Sequence, residues 1–281
     1  FSETDIGERL RKSVHEDLCP EAMIGSMLSG EFRTVLFPAK EGSLWISFLN
    51  LGSIEGFTLS RLKSLFQRFG RQVREDYQIL LDGLSFERLP IQQAVETIVK
   101  AVYQGAYIFH RSNLAQAADH RIYAIREQLK KEKELTFTLI CAGDLTGSIE
   151  KAEIYGSCIN TARMLGDIPN NYLHVRQLAE YAKDLAGEYG LDYELLGNRE
   201  LEELHSGGIL GVNAGSCDEA GLITVSYEGT KGAPYTAIIG KGVMFDSGGY
   251  HLKSIDGMKG MKYDMCGAAN ILAALEIAVR L

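Results

Sequence analysis

The residue types that do chemistry are concentrated in one glycine-rich stretch, residues 240–267, with the sequence GKGVMFDSGGYHLKSIDGMKGMKYDMCG. Its charged side chains are Lys241, Asp246, Lys253, Asp256, Lys259, Lys262 and Asp264. Carboxylates are good ligands for Zn, Mn or Mg, and glycines let the backbone pack closely around a ligand. The composition of the stretch indicates a metal or anion site, and a turn with solvated lysines is an equal alternative.

Three other kinds of site are excluded by spacing within this stretch. Gly240-Lys241 is not followed by Ser or Thr, so the GxxxxGK[ST] phosphate loop is absent. Gly240-Lys-Gly242 is not completed three residues later, as a dinucleotide fingerprint requires. Ser247 lacks the GxSxG frame of a serine nucleophile. The six histidines form no HExxH pair, and we expect His251 to lie outside the ligand set.

The elements around this stretch predict an α/β unit that begins near Gly147. Asp246 would lie in the loop after an apolar strand, and such loops commonly carry the functional groups of open α/β sheets. Asp264 would lie near the start of a helix. The predicted order is a helix over 149–165, a helix over 175–189, a strand over 193–196, a helix from an Asn198 N-cap to about 205, a glycine-rich loop over 207–215, strands over 222–227 and 235–239, and a helix from about 258 to 281.

The first half of the chain alternates strand and helix patterns, which predicts a layered α/β domain. Strands are predicted over 33–37, 43–51, 77–81 and 135–141, and helices over 59–70 and 91–109. The Lys- and Glu-rich run over 121–134 is predicted to be a solvated helix or loop. We therefore expect two domains, residues 1–146 and residues 147–281.

Composition narrows the class of protein. The chain has 281 residues, 46% hydrophobic and 23% charged, with a formal net charge of −8, which is typical of a soluble protein and gives no electrostatic reason to expect nucleic-acid binding. Its five cysteines are widely spread without a CxxC pair, which favours a reducing cytoplasm. No apolar run approaches the ~18 to 20 residues that cross a bilayer, so no membrane is expected.

The same stretch also resembles a known family. GKGVMFDSGGYHLK followed by MKGMKYDMCGAA resembles the signature of the leucyl aminopeptidase (cytosol aminopeptidase) family, GKGxxFDSGGxxxK then MxxMKxDMxGAA. A weaker likeness reaches back to about Gly147, where IPNNYL over 168–173 resembles the family's NTPPNxLTP and departs from it at His174 and Val175. The resemblance implies a macro-like N-terminal α/β domain followed by the first part of an α/β metallo-aminopeptidase catalytic domain.

The family resemblance assigns roles to five residues. Lys241, Asp246 and Asp264 match ligands of two divalent metal ions (Zn, Mn or Mg), with Asp246 bridging both. Lys253 matches the catalytic lysine that polarises the scissile carbonyl, and Met261 matches a residue that lines the pocket for the substrate's first side chain. The implied reaction is the release of N-terminal, apolar, leucine-like residues from peptides by a metal-activated hydroxide. The implied assembly is a homo-hexamer.

One part of the family's pattern is missing. The second motif, NTDAEGR, supplies further ligands in the family and is absent from these 281 residues. Three protein ligands cannot satisfy two ions of ordinary coordination number. We therefore expect that the chain stops partway through its catalytic domain and alone is inactive. The alternative is a non-catalytic macro-like binding or assembly module that carries an incomplete peptidase domain.

Overall fold

The structure is a computed structural model that describes residues 32–38, 43–49, 58–73, 77–80, 89–109, 122–131, 136–140 and 143–281. Internal contacts divide the chain into two compact units, residues 1–73 with 84–106, and residues 74–83 with 107–281. Both units contain helices and strands, with helices predominating, so the expected α/β class is confirmed. The domain boundary after residue 146 and the macro-like character of the first domain stay predictions.

The described part of the first unit contains two paired strands and two helices. Strands β1 (Phe32–Pro38) and β2 (Ser43–Leu49) pair in antiparallel fashion. Helices α1 (Leu59–Gln72) and α2 (Ile91–Ala106) pack on each other through apolar side chains that recur every three to four residues. The hydroxyl of Thr58 caps α1 by accepting a hydrogen bond from the main chain of Arg61. These elements lie where the sequence predicts them.

The second unit contains the rest of the described elements. Strands β3 (Tyr77–Leu80) and β4 (Phe137–Ile140) pair in parallel, and β5 (Asp192–Leu196) and β6 (Leu222–Ser226) pair in antiparallel fashion. The helices are α3 (Ile122–Lys131), α4 (Thr146–Asp167), α5 (Val175–Tyr189), α6 (Asn198–Glu203), α7 (Gly207–Asn213), α8 (Ile255–Met258), a 3-10 turn (Met261–Tyr263) and α9 (Cys266–Arg280). None of the described helices is long and apolar enough to cross a membrane.

The core of the second unit forms where α4, α5 and α9 meet. Met164 and Leu165 of α4, Leu185 of α5, and Ala269 and Leu272 of α9 are buried in one cluster. Burying a side chain the size of leucine contributes about 1.5–3 kcal/mol, so this cluster stabilises the second unit. Because α9 is part of this core, the residues just before it, which include Asp264, are held against the body of the unit.

Four predictions about the second unit are wrong in detail. The final helix is interrupted because Gly260 adopts a left-handed conformation (φ +79°), which separates α8 from the 3-10 turn. Residues 207–213 form helix α7 instead of a loop. The N-cap of α6 is Gly197, because the side chain of Glu200 accepts a hydrogen bond from its main chain. Residues 235–239 pair with no strand in the described part of the chain, and Ile239 is 93% exposed.

The charged run over 121–134 is also less solvated than predicted. Its described part forms α3, in which the side chain of Arg126 is only 2% exposed. Arg126 forms an ion pair with Glu276 of α9, and its Nη1 lies 2.8 Å from Oε2 of Glu188 in α5. Burial lowers the pKa of Arg126, but Tyr181 and Glu276 raise it more, so the guanidinium stays charged. Arg126 can be buried because glutamates from two other helices pair with it. The composition of the run does not reveal these partners, since they lie far away in the sequence.

Cysteine reactivity should follow burial in the second unit. Cys158 is fully buried, Cys266 is partly buried and Cys217 is exposed. Burial, and then the negative charge of Glu276, raises the pKa of Cys158 to about 11, and the thiolate is the reactive form. We expect iodoacetamide to alkylate Cys217 in the folded protein and Cys158 only after denaturation, as measured by peptide mass spectrometry. Equal rates at the two thiols in the folded protein would show that Cys158 is accessible.

Candidate active site

The site is built where residues 240–241 lie against the first turn of α9. The main-chain N–H of Ala268 donates a hydrogen bond to the carbonyl of Lys241 at 2.8 Å. Two glycines make this approach possible. A Cβ on Gly267 would lie 2.5 Å from the nitrogen of Lys241, and a Cβ on Gly240 would lie 2.4 Å from the carbonyl oxygen of Gly267. Real Cβ atoms do not approach backbone atoms so closely, so both positions require glycine.

Two lysine–aspartate pairs form the charged part of the site. Nζ of Lys241 lies 2.8 Å from Oδ2 of Asp264, and Nζ of Lys253 lies 2.6 Å from Oδ2 of Asp246. Nζ of Lys253 also lies 3.0 Å from the sulfur of Met261. The positive charge of Lys241 acts on both carboxylates, which links the two pairs electrostatically. The structure therefore brings together the five residues that the sequence singles out, and their individual roles stay predictions.

A tight loop places Lys253 beside Asp246. Gly248 has φ +95°, and a Cβ there would lie 2.4 Å from the carbonyl oxygen of His251, so the loop requires glycine at this position. The main chain of Lys253 donates a hydrogen bond to the carbonyl of Ser247 at 2.9 Å. The main chain of Gly248 donates one to Oδ1 of Asp246, also at 2.9 Å. The loop thus returns on itself and presents the lysine to the carboxylate.

The 3-10 turn supplies the other half of the site. It begins after Gly260, and the N–H of Asp264 donates a hydrogen bond to the carbonyl of Met261 at 3.2 Å. Tyr263 and Lys262 of this turn contact Asp167, the last residue of α4. Lys262 is therefore not the freely solvated side chain that the sequence suggests. Sequence reasoning also missed Asp167, because no local pattern signals a contact between residues so far apart in the chain.

The two pairs shift the pKa values of Asp246 and Lys241. The hydrogen bond from Lys253, and then that from the main chain of Gly248, lowers the pKa of Asp246 below its usual value. The hydrogen bond to Asp264 raises the pKa of Lys241 above its usual value, against a smaller effect of desolvation. At neutral pH these two groups are therefore a carboxylate and an ammonium ion. A cation that binds through Lys241 has to displace a proton.

The donor set fits divalent cations. Oδ2 of Asp264 is a buried oxygen, and the ammonium group of Lys241 lies 2.8 Å from it. A buried carboxylate oxygen needs a cation or a donor nearby, and among the described residues the ammonium group of Lys241 meets that need. Within the described residues no group of three His, Cys, Asp or Glu side chains is placed to hold a metal ion. Among the described residues, a metal site here would therefore have two carboxylate ligands, Asp246 and Asp264, and the amine of Lys241 would be the third.

The segment that contains the site matches a known protein family. Residues 160–281 match the model described as "Cytosol aminopeptidase family, catalytic domain". The "probable cytosol aminopeptidase" of Bacillus licheniformis is 31% identical over 251 residues, which cover 86% of this chain and 48% of the relative. That of Bacillus subtilis (strain 168) is 31% identical over 248 residues, which cover 85% of this chain and 47% of the relative. The chain spans about half the length of the curated relatives it matches.

Solved structures share the fold. The structure of the bottromycin maturation enzyme BotP in complex with Mn matches with a TM-score of 0.68 and 22% identity, over 88% of this chain and 50% of that chain. The structure described as the bottromycin maturation enzyme BotP matches with a TM-score of 0.67 and 23% identity, over the same shares. At these identities the likeness concerns the fold alone.

Proposed function

We propose that the protein is a metal-dependent aminopeptidase, because residues 160–281 match the model of the cytosol aminopeptidase catalytic domain and the chain is 31% identical to two probable cytosol aminopeptidases. It would release N-terminal, apolar, leucine-like residues from peptides. The observation that carries the proposal is the meeting of Lys241, Asp246, Lys253 and Asp264 at the start of α9. Two carboxylates, one amine ligand and one ammonium group are part of the set of groups that this chemistry needs.

We propose that Asp246, Asp264 and Lys241 would hold two divalent ions (Zn, Mn or Mg), with Asp246 as the ligand that both would share. When bound, such ions supply an activated water at neutral pH and anchor the free amine of the substrate. The two carboxylates suit this role, because Asp246 is ionised and Oδ2 of Asp264 already lies beside a cationic group, the ammonium of Lys241. Lys241 has to lose its proton and leave Asp264, so metal binding should release a proton.

Lys253 and Met261 act on the substrate in this proposal. The ammonium group of Lys253 donates to the scissile carbonyl oxygen, where negative charge develops. Asp246 and the sulfur of Met261 hold that ammonium group in place, at 2.6 and 3.0 Å. The thioether of Met261 would also offer the substrate's first side chain an apolar and adaptable contact, which supports a preference for leucine-like residues.

Three wider features belong to the same proposal. The proposed substrates are peptides with a free N-terminus. The proposed location is the cytoplasm, which is supported by cysteines that are widely spread and form no CxxC pair. The proposed assembly is a homo-hexamer, and its support is the family resemblance. The three donors among the described residues are too few for two ions, so further ligands would have to complete the site.

The test combines metal binding with hydrolysis. Free Mn²⁺ is measured by its electron paramagnetic resonance signal, with the chain titrated against the metal. We expect the Asp246→Asn, Asp264→Asn double variant to weaken Mn²⁺ binding by at least about tenfold, since both ligands lose their charge. In the protein at its natural length, Lys253→Met should lower kcat for leucine amide by about a hundredfold or more, since the oxyanion loses its donor.

Asp256→Asn provides the matched control, because Asp256 lies in the same stretch but is 89% exposed, and its ion pair is with Lys259. This variant should bind Mn²⁺ and hydrolyse leucine amide as the unaltered protein does. Mn²⁺ binding that is unchanged in the double variant would refute the metal assignment. Leucine release that survives Lys253→Met would refute the role of the lysine. If the unaltered protein neither binds Mn²⁺ nor hydrolyses leucine amide, the non-catalytic module is favoured.

A further inference from the structure

Asp167, the last residue of α4, connects three side chains that the proposed chemistry does not use. Its Oδ2 accepts a hydrogen bond from the hydroxyl of Tyr107 at 2.8 Å, and its Oδ1 accepts one from the hydroxyl of Tyr263 at 3.2 Å. Its main-chain carbonyl accepts a third from Nζ of Lys262 at 2.9 Å. Lys262 and Tyr263 are successive residues of the 3-10 turn, so the end of α4 holds this turn at two points.

The turn carries two residues of the candidate site. Met261 begins it and contacts the ammonium group of Lys253, and Asp264 follows it and pairs with Lys241. We propose that Asp167 is a positioning residue, which holds the turn so that Met261 and Asp264 reach their partners. The inference rests on the proposed function for its consequence in metal binding, and its geometric part stands without it.

Helix stability does not explain an aspartate at this place. The C-terminal end of a helix carries a partial negative charge, so a carboxylate in its last turn is unfavourable, and Asp167 ends a helix of 22 residues. The two tyrosine hydroxyls and the lysine compensate for this cost. Hydrogen bonds to an ionised acceptor are roughly twice as strong as neutral ones, which gives the arrangement a defined geometry. The carboxylate of Asp167 is therefore explained by its hydrogen bonds and not by the stability of α4.

The groups around Asp167 are themselves held in place. Burial, and then the hydrogen bond to Asp167, raises the pKa of Tyr107, so its hydroxyl keeps its proton and remains a donor. The guanidinium carbon of Arg163 lies 4.2 Å from the centre of the Tyr107 ring. The ring of Tyr263 packs on the backbone of α4, where a Cβ on Gly166 would lie 3.2 Å from Cδ1 of the ring. Both tyrosines are thus constrained by packing as well as by Asp167.

The experiment compares Asp167→Asn with Tyr263→Phe in the 281-residue chain. Asparagine replaces one carboxylate oxygen with a donor nitrogen, so one tyrosine hydroxyl loses its acceptor, while Tyr263→Phe deletes a single hydroxyl. The first measurement is metal-free: the NMR signal of the ¹³C-labelled methyl group of Met261. We expect both variants to shift this signal. The second measurement is the Mn²⁺ dissociation constant, which should rise roughly tenfold in Asp167→Asn, as is typical for groups that orient a ligand.

Asp144→Asn is the matched control, because Asp144 lies at the other end of α4 and accepts a hydrogen bond from the main chain of Thr146 through Oδ1. It should leave the Met261 signal and Mn²⁺ affinity unchanged. An unshifted Met261 signal in both test variants would overturn the inference, and so would a shifted signal with unchanged Mn²⁺ affinity. A shifted signal in a chain that binds no Mn²⁺ supports the positioning of the turn by Asp167 and refutes the proposed metal site instead.

Discussion

Replacing Glu276 by alanine is expected to lower the free energy of unfolding by about 3–5 kcal/mol, because it leaves a buried charge without its partner. Glu276 is 1% exposed and Arg126 is 2% exposed, and they form an ion pair between α9 and α3. The same carboxylate accepts hydrogen bonds from Tyr189 and Arg280, each at 3.2 Å. After the substitution, Arg126 keeps its contact with the more exposed Glu188, which cannot fully compensate.

Urea denaturation followed by circular dichroism measures this effect. The matched control is Glu203→Ala, since Glu203 is 71% exposed and its nearest basic partner, Arg199, lies 4.0 Å away. An exposed pair of this kind contributes about 0–1 kcal/mol, so the control should unfold almost as the unaltered chain does. The double variant Arg126→Met, Glu276→Leu should recover much of the loss, because it removes both buried charges together. Equal effects of the two single substitutions would contradict the buried pair.

Replacing Gly267 by alanine should disrupt the candidate site from the backbone. The new Cβ would lie 2.5 Å from the nitrogen of Lys241 and 2.9 Å from its carbonyl oxygen. Residues 240–241 would have to move away from α9 and lose the hydrogen bond from Ala268 to Lys241. Overpacking of this kind costs about 1–3 kcal/mol of stability. Because Lys241 moves away from Asp264, we also expect Mn²⁺ affinity to fall by about tenfold or more.

Gly187→Ala separates this effect from the general effect of a glycine-to-alanine change. Gly187 lies within helix α5, and a Cβ there would meet no atom within 4 Å. Alanine is the better helix former, so this control should raise the free energy of unfolding by about 0.4–1 kcal/mol. Thermal unfolding and Mn²⁺ titration are measured on both variants. Stability and affinity that do not change in Gly267→Ala would show that α9 and residues 240–241 are not in close contact.

Local patterns in the sequence determined the elements with the strongest periodicity. The spacing of apolar residues predicted helices α1 and α5 and strands β1, β2, β5 and β6 close to their observed bounds, because burying one face is the main force that forms such elements. The spacing of apolar residues gave wrong predictions where backbone conformation matters more than hydropathy. Gly260 interrupts the last helix, and residues 235–239 have the apolar composition of a strand without a paired neighbour in the described chain.

The sequence by itself also determined which residues belong to the candidate site, because its motif fixes residue types and spacing over a short stretch. Only the tertiary structure decided how they meet. It paired Lys241 with Asp264 and Lys253 with Asp246, and it brought Asp167 to the turn before α9. These contacts join residues from different elements, and their geometry depends on helix packing and on glycine positions that permit close approach. Periodicity in a sequence describes one element at a time, so it contains no such information.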